Sequence, residues 1–158
     1  MPIEKALAAM LPQEVFEVLG DADQKTAFSL HELGMALGCK VEVKIGARAN
    51  KVVYSLPAPK KRALFTIECS PAAWRVKANL FRIGAYEAHV QESSETIRAS
   101  IKATRACVQC NPGCRGRASY VIDGETLLPC YGGGHYFKAL EENDWNRLQE
   151  LIALESKA

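Results

Sequence analysis

Apolar residues in the first 38 positions recur at the three- and four-residue intervals that are typical of amphipathic helices. Pro12 cannot continue a helix from Leu11, but it suits the first turn of a new one, so the pattern predicts a break there. A second helix is predicted to end at Gly20, and a third to run from near Asp23 to about Gly38. In this third helix, the residues expected to face inward are Phe28, Leu30, Leu33 and Leu37.

From Val41 the period of the pattern changes from 3.6 residues to two, because Val41 and Val43 alternate with Glu42 and Lys44. This alternation predicts a half-buried strand, and similar runs follow it. The predicted strands cover residues 41–45, 51–56, 63–69 and 74–80. Turn residues connect them closely, so an antiparallel meander of about four strands is the simplest arrangement.

The last third of the chain predicts a helix, a hairpin and a closing helix. Ser93 or Ser94 can cap a helix that runs to about residue 106. Asp123-Gly124 then separates two β-prone runs, 118–122 and 125–130, which is a strong signal for a two-residue hairpin turn. Residues 136–137 are expected to join the sheet, and a helix capped by residue 143 or 144 closes the chain. The sequence therefore predicts a single α+β domain over residues 1–158.

Composition narrows the class of protein without naming an activity. The 158 residues are 48% hydrophobic and carry a net charge of +2, which is too apolar and too weakly charged for a disordered chain. No apolar run approaches the ~18 residues of a membrane helix, and the first residues lack a secretory pattern. We therefore expect a cytoplasmic protein with no membrane partner, and the near-neutral charge gives no reason to expect nucleic acid.

The six cysteines carry the most chemical information, because clustered cysteines in a reducing compartment are more often metal ligands or redox thiols than disulfides. Four of them form a cluster, and they are Cys107, Cys110, Cys114 and Cys130. A two-residue turn at Asp123-Gly124 sets Ile122 opposite Glu125 and, by extension, residue 117 opposite residue 130. The base of the hairpin and the end of the preceding helix are thus expected to bring four sulfurs together, within a module at about 105–138.

Four thiolates at this spacing suit tetrahedral Zn²⁺, which we predict as a structural ion because no coordination position stays open for water. The four ligands give the centre a formal charge of 2−, and basic residues of the same stretch would compensate it. These residues are Lys102, Arg105, Arg115 and Arg117. The spacing differs from the runs of bacterial ferredoxins, which argues against an iron–sulfur cluster, and a redox pair or simple reduced thiols remain open alternatives.

His135 could replace one cysteine as a zinc ligand, since it follows Cys130 by five residues. The simpler interpretation is a loop histidine beside the three glycines at 132–134, which match no phosphate-binding loop. Cys39 and Cys69 lie in apolar contexts and are predicted to be buried and inert. No catalytic residue set and no cofactor-binding motif is recognisable.

Four parts of the sequence resemble features of one family. They are the cysteine segment 107–114 (C-x2-C-x3-C), Tyr120 to Gly124, Cys130 with Tyr136-Phe137, and the helix from Asp144-Trp145. The chain resembles an uncharacterised family of small bacterial α+β domains of unknown function. The resemblance covers the last third well and the rest only in the order of elements. It implies a compact helix–meander–helix–hairpin–helix domain and no activity.

Three hypotheses for function follow. The first is a non-enzymatic, zinc-stabilised domain that binds a small molecule or a protein partner on its sheet face or in the cleft beside it. The second is a cysteine-based redox or metal sensor that uses the same thiols. The third is an enzyme whose pocket is assembled from residues distant in sequence.

Overall fold

A computed structural model of the chain describes residues 10–103, 119–127 and 134–158. They form the predicted α+β fold, and they contain five α-helices and a five-stranded antiparallel sheet. The helices are α1 (Pro12–Phe16), α2 (Asp21–Ala36), α3 (Glu87–Gln91), α4 (Glu95–Lys102) and α5 (Glu142–Lys157), with a 3₁₀ turn at Ile83–Ala85. The strands are β1 (Lys40–Lys44), β2 (Asn50–Ser55), β3 (Ala63–Cys69), β4 (Trp74–Ala78), β5 (Tyr120–Ile122), β6 (Glu125–Leu127) and β7 (His135–Phe137).

The sheet confirms the predicted meander. Its strand order is β1-β2-β3-β4-β7, so the first four strands lie beside one another in chain order and β7 adds to β4. The hairpin of β5 and β6 forms a separate two-stranded sheet. The chain divides into two compact units, Met1–Val76 and Lys77–Ala158, and this boundary falls inside β4. None of the described helices is long and apolar enough to cross a bilayer.

In the first unit, α1 and α2 pack on the apolar face of β1 to β3. Gly34 of α2 lies against the Tyr54 ring so closely that a Cβ there would come within 2.4 Å of Tyr54 Cδ1. Tyr54 in turn stacks on Phe65, with ring centroids 4.3 Å apart. This close approach of helix to sheet fixes which face of α2 is buried, because only glycine leaves room for the ring.

The buried face of α2 differs from the predicted one. Leu30 is fully buried as expected, together with Ala27 and Gly34. Phe28 was expected to face inward, but it is partly exposed and its ring makes an edge contact with Phe16 of α1. The large apolar residues of the helix suggested one face, whereas the contact of Gly34 with Tyr54 selects another.

In the second unit, the boundaries follow the sequence prediction with local differences. Ser94 caps α4 by accepting a hydrogen bond from the Ile97 backbone N–H, as predicted, and the described helix runs to Lys102. The 3₁₀ turn and α3 were not predicted, because five or fewer residues give too little periodicity. The predicted caps of the last helix, residues 143 and 144, were wrong, since α5 begins at Glu142.

A buried carboxylate connects α5 to the segment that follows β4. Glu155 is fully buried, although it lies two residues from the end of α5. Its Oε1 accepts hydrogen bonds from the Arg82 backbone N–H at 2.8 Å and from the Tyr86 hydroxyl at 2.7 Å. Because buried polar groups are costly without partners, these bonds fix the position of the last helical turn.

Replacing Tyr86 with Phe removes one donor from this buried carboxylate. We expect Tyr86→Phe to lower the free energy of unfolding by about 1–2 kcal/mol, since the buried carboxyl group loses one hydrogen-bond donor. Urea denaturation monitored by circular dichroism measures the change. Tyr136→Phe is the matched control, because Tyr136 is partly exposed, and we expect its effect to stay within about 0.5 kcal/mol. Equal effects of the two substitutions would contradict the role given to Glu155.

Candidate functional site

The four predicted zinc ligands, Cys107, Cys110, Cys114 and Cys130, lie outside the described residues. The structure does describe the elements that precede and follow them in the chain. These elements are α4, which ends five residues before Cys107, the β5–β6 hairpin, and β7. They determine where each cysteine-bearing segment starts and ends.

The hairpin has the register that the sequence predicts. Ile122 pairs with Glu125, and Tyr120 pairs with Leu127. The two turn residues, Asp123 and Gly124, have φ values of 52° and 79°, so both occupy the left-handed region that a type I′ turn requires. The register is therefore set by the turn, and the chain leaves the open end of the hairpin at residues 119 and 128.

Asp123 also connects the hairpin to α4. Its Oδ1 lies 3.0 Å from Arg98 Nε and its Oδ2 lies 2.8 Å from Lys102 Nζ. The hydrogen bond from Lys102 and the charge of Arg98 hold the pKa of Asp123 below its usual range. Arg98 and Lys102 occupy one face of α4 because they are four residues apart.

This ion pair changes the role expected of Lys102. The sequence suggested that Lys102 compensates the charge of a zinc centre, but its ammonium group contacts Asp123 in the turn of the hairpin. The end of α4 therefore lies beside the turn and not beside the open end of the hairpin. The sequence could not give this contact, because it joins residues 21 positions apart on different elements.

His135 lies in strand β7 and is almost completely buried, so its interpretation as a loop histidine was wrong. Its Nε2 lies 3.3 Å from the Leu80 carbonyl oxygen. Burial lowers the pKa of His135 to about 4, although hydrogen bonds to the backbone of Leu80 and Ile101 oppose that change. The imidazole is thus neutral at pH 7 and bonded to backbone, and its service as a zinc ligand stays a prediction.

Cys39 and Cys69 are both buried, as predicted. Burial raises the pKa of Cys39 and raises that of Cys69 to about 12. Both side chains therefore stay protonated at neutral pH, and a thiol without its thiolate form is a poor nucleophile and a poor metal ligand. Within the part of the chain that the structure describes, no group of three or more His, Cys, Asp or Glu side chains could hold a metal ion.

The first unit contains a groove of about 660 Å³ between the helices and β1. Most of its lining is apolar or sulfur-containing. The lining residues are Met10, Leu11, Pro12, Gln13, His31, Met35, Cys39, Val41, Glu42 and Val43. Sequence periodicity indicated the helices and the strand separately, but not that they leave an open groove between them.

His31 contributes an imidazole ring to the lining of this groove. Its Nδ1 lies 2.8 Å from the Tyr54 hydroxyl, so the two side chains share a hydrogen bond. Burial lowers the pKa of His31 and raises that of Tyr54, which favours the neutral form of both groups. The hydrogen bond to Tyr54 therefore fixes the orientation of the His31 ring in the groove.

The other face of the sheet in this unit is polar. Glu68 of β3 is buried there between two basic side chains, Lys51 at 3.2 Å and Arg75, which donates a hydrogen bond to its Oε2. Burial opposes ionisation of Glu68, but the hydrogen bonds from Arg75 and Lys51 outweigh it and hold its pKa below the usual value. The cluster joins β2, β3 and β4 across one row of the sheet.

Comparisons with protein-family models, with curated proteins and with solved structures found no match to this chain. The resemblance to an uncharacterised family of bacterial α+β domains therefore stays a prediction.

The Glu68 cluster predicts a pH-dependent contribution to stability. Its pKa is lower in the folded chain than in the unfolded chain, so its stabilisation is present above about pH 4.3 and is lost as the pH falls through the folded pKa. Because Lys51 and Arg75 are half-exposed, we expect Glu68→Gln to cost less than about 1 kcal/mol at pH 7. Urea denaturation from pH 7 to pH 3 should show this cost becoming smaller as the pH falls below about 4.3.

Glu17→Gln is the matched control for this titration, because Glu17 is exposed in the same unit and belongs neither to the groove nor to β1. Its effect should stay within about 0.5 kcal/mol over the same range. A cost of Glu68→Gln that is the same at pH 3 as at pH 7 would rule out ionisation of Glu68 as its source.

Proposed function

We propose that this protein is a non-enzymatic binding domain whose C-terminal hairpin is held by a structural zinc ion on Cys107, Cys110, Cys114 and Cys130. The observation that carries the proposal is the register of the hairpin, in which Tyr120 pairs with Leu127. Both chain segments that lead to cysteines leave from this one pair. If the cysteines lay on elements far apart in the fold, the sequence spacing alone would not imply that their sulfurs bind one ion.

Chain geometry supports convergence of the sulfurs. Cys130 follows Leu127 by three residues and Cys114 precedes Tyr120 by six, so their Cα atoms lie within about 10 and 21 Å of the paired ends. Cys107 follows Lys102 by five residues, which limits it to about 18 Å from the end of α4. Asp123 connects the end of α4 to the turn of the hairpin, so the segment that starts at Lys102 begins beside the same hairpin from which the other two segments leave.

The chemistry of the ligand set supports zinc. Four thiolates complete a tetrahedral shell with Zn–S distances of ~2.3 Å and leave no position for a substrate or for water. Such an ion contributes to folding, because it closes segments that have little apolar surface of their own to bury. Zinc here would hold the 104–118 and 128–133 segments to the hairpin and would take no part in a reaction.

The binding role is assigned to the groove of the first unit. Its walls combine apolar side chains with three polar ones, Gln13, His31 and Glu42, and the imidazole is hydrogen-bonded to Tyr54. Its thiol, Cys39, is protonated at neutral pH because burial raises its pKa. A protonated thiol is a poor nucleophile, whereas the neutral imidazole, held by Tyr54, can exchange a hydrogen bond with a ligand. We therefore propose that the groove binds a small molecule that has both an apolar part and a hydrogen-bonding group.

Cys→Ser substitutions test the zinc site. We expect any one of Cys107, Cys110, Cys114 or Cys130 changed to Ser to lower zinc below one ion per chain and to lower the melting temperature, because one ligand is lost. Elemental analysis of protein purified under reducing conditions, without a histidine tag, measures the metal. Cys39→Ser and Cys69→Ser are matched controls and should retain one zinc per chain.

Full zinc in a Cys130→Ser protein would remove that residue from the ligand set. Protein without zinc whose thiols appear only after addition of a reductant would overturn the structural site in favour of a redox sensor.

Replacing Asp123 and Gly124 by two alanines should weaken zinc binding without removing a ligand, because alanine disfavours the left-handed turn. Unchanged zinc affinity in that variant would contradict the argument from the hairpin.

The groove can be probed with Nile red, an uncharged apolar fluorescent dye. We expect the dye to bind the wild-type protein, and Met35→Lys to weaken binding by about tenfold or more, because a charge enters an apolar wall. Val121→Lys is the matched control, since Val121 is also partly exposed but lies in the hairpin. Equal dye affinity in both variants would place the dye outside the groove and contradict its assignment as the binding site.

A further inference from the structure

Strand β1 lies at one edge of the five-stranded sheet. Among the described strands it pairs only with β2, from Lys40 opposite Ser55 to Lys44 opposite Lys51. Within residues 10–103, 119–127 and 134–158, no strand lies on the other side of β1, whose backbone N–H and C=O groups are those of a sheet edge. Such edges in stable proteins are either protected or used for pairing with another chain.

The side chains of β1 alternate in a regular way. Lys40, Glu42 and Lys44 are exposed on the polar face, whereas Val41 and Val43 are half-buried on the apolar face. Ile45 directly follows β1, continues the alternation of the sequence and is 57% exposed. This large apolar side chain directly after an edge strand lacks the burial that Val41 and Val43 have.

We propose that β1 pairs antiparallel with β1 of a second copy of this chain, across a two-fold axis at Val43. In this register Val43 lies opposite Val43 of the second copy, Glu42 opposite Lys44, and Val41 opposite Ile45. Each chain then contributes one acid and one base to two equivalent cross-strand ion pairs. All the apolar residues meet on one face and all the charges on the other, as an isologous interface requires.

The intramolecular partner of Lys44 supports this register. Lys44 lies directly opposite Lys51 of β2, and like charges in that position destabilise a sheet. Lys51 contacts Glu68 on its far side, whereas Lys44 is exposed at the edge. Glu42 of a second copy would give Lys44 an acidic neighbour on the open side of β1.

Two neighbouring registers fit less well. An axis at Glu42 sets Glu42 opposite itself and Lys40 opposite Lys44, so every charged pair is repulsive. An axis at Val41 sets Lys40 opposite Glu42, but it places Ile45 opposite Leu37, which caps α2 and belongs to no strand. Only the axis at Val43 satisfies the charges and gives Ile45 an apolar partner within extended backbone.

Sedimentation velocity of the full-length protein over a range of concentrations tests the proposal. We expect a reversible dimer for the wild type. Glu42→Lys and Lys44→Glu each make both ion pairs repulsive, and we expect either substitution to weaken the dimer by about tenfold or more. Circular dichroism of each variant confirms that it is folded.

A double variant and a mixture of the two single variants should each restore the dimer. The double variant Glu42→Lys/Lys44→Glu exchanges the two charges and should associate like the wild type. Equimolar Glu42→Lys and Lys44→Glu proteins, each monomeric alone, should form a heterodimer, because every cross-strand pair then joins a Lys and a Glu. If the single variants were monomeric because they are unfolded, mixing them would not restore association.

Lys40→Glu is the matched control, because residue 40 lies opposite Gly46 in the proposed register and carries no ion pair. It should leave the dimer unchanged. Wild-type protein that stays monomeric at every concentration would overturn the proposal and leave Lys40 and Lys44 as charges that protect the edge. Loss of the dimer in Lys40→Glu with retention in Lys44→Glu would overturn the axis at Val43 in favour of Val41.

Discussion

The turn at Asp123-Gly124 is the constraint on which the C-terminal unit depends. Both residues adopt positive φ, which fixes the hairpin register, and the Asp123 carboxylate contacts Arg98 and Lys102 of α4. One dipeptide thus determines the pairing of two strands and the position of the helix that precedes them. Because every cysteine-bearing segment begins or ends at these elements, the same turn limits where the four sulfurs can lie.

Local signals in the sequence predicted the hairpin register, the meander and the Ser94 cap, because each depends on residues near one another in the chain. The remaining features depend on contacts between distant residues. Glu155 at the end of α5 looks like an ordinary exposed acid until Tyr86 and Arg82 are known to lie beside it. His135 follows glycines and suggested a loop, whereas the Leu80 carbonyl and burial in β7 determine its state.

The candidate sites also differ in whether they depend on residues near one another in the chain or on contacts between distant residues. The cysteine cluster is visible in the sequence because its chemistry lies in residue type and spacing. The groove is not, since His31 and Val41 are brought together only when α2 packs on the sheet through Gly34 and Tyr54. The edge of β1 combines both, because its charge alternation is local but its open side is known only from the strand order. The two proposed binding surfaces belong to the first unit, and the proposed zinc site belongs to the second.

The central claim is that four cysteine sulfurs meet at one zinc ion. X-ray absorption at the zinc edge, on full-length protein purified under reducing conditions, tests it most directly. The account predicts one zinc per chain with a shell of four sulfurs at ~2.3 Å and no lighter ligand. A shell that contains nitrogen or oxygen would contradict the four-cysteine set, and His135 would be the first residue to examine. Protein without zinc would contradict the claim entirely.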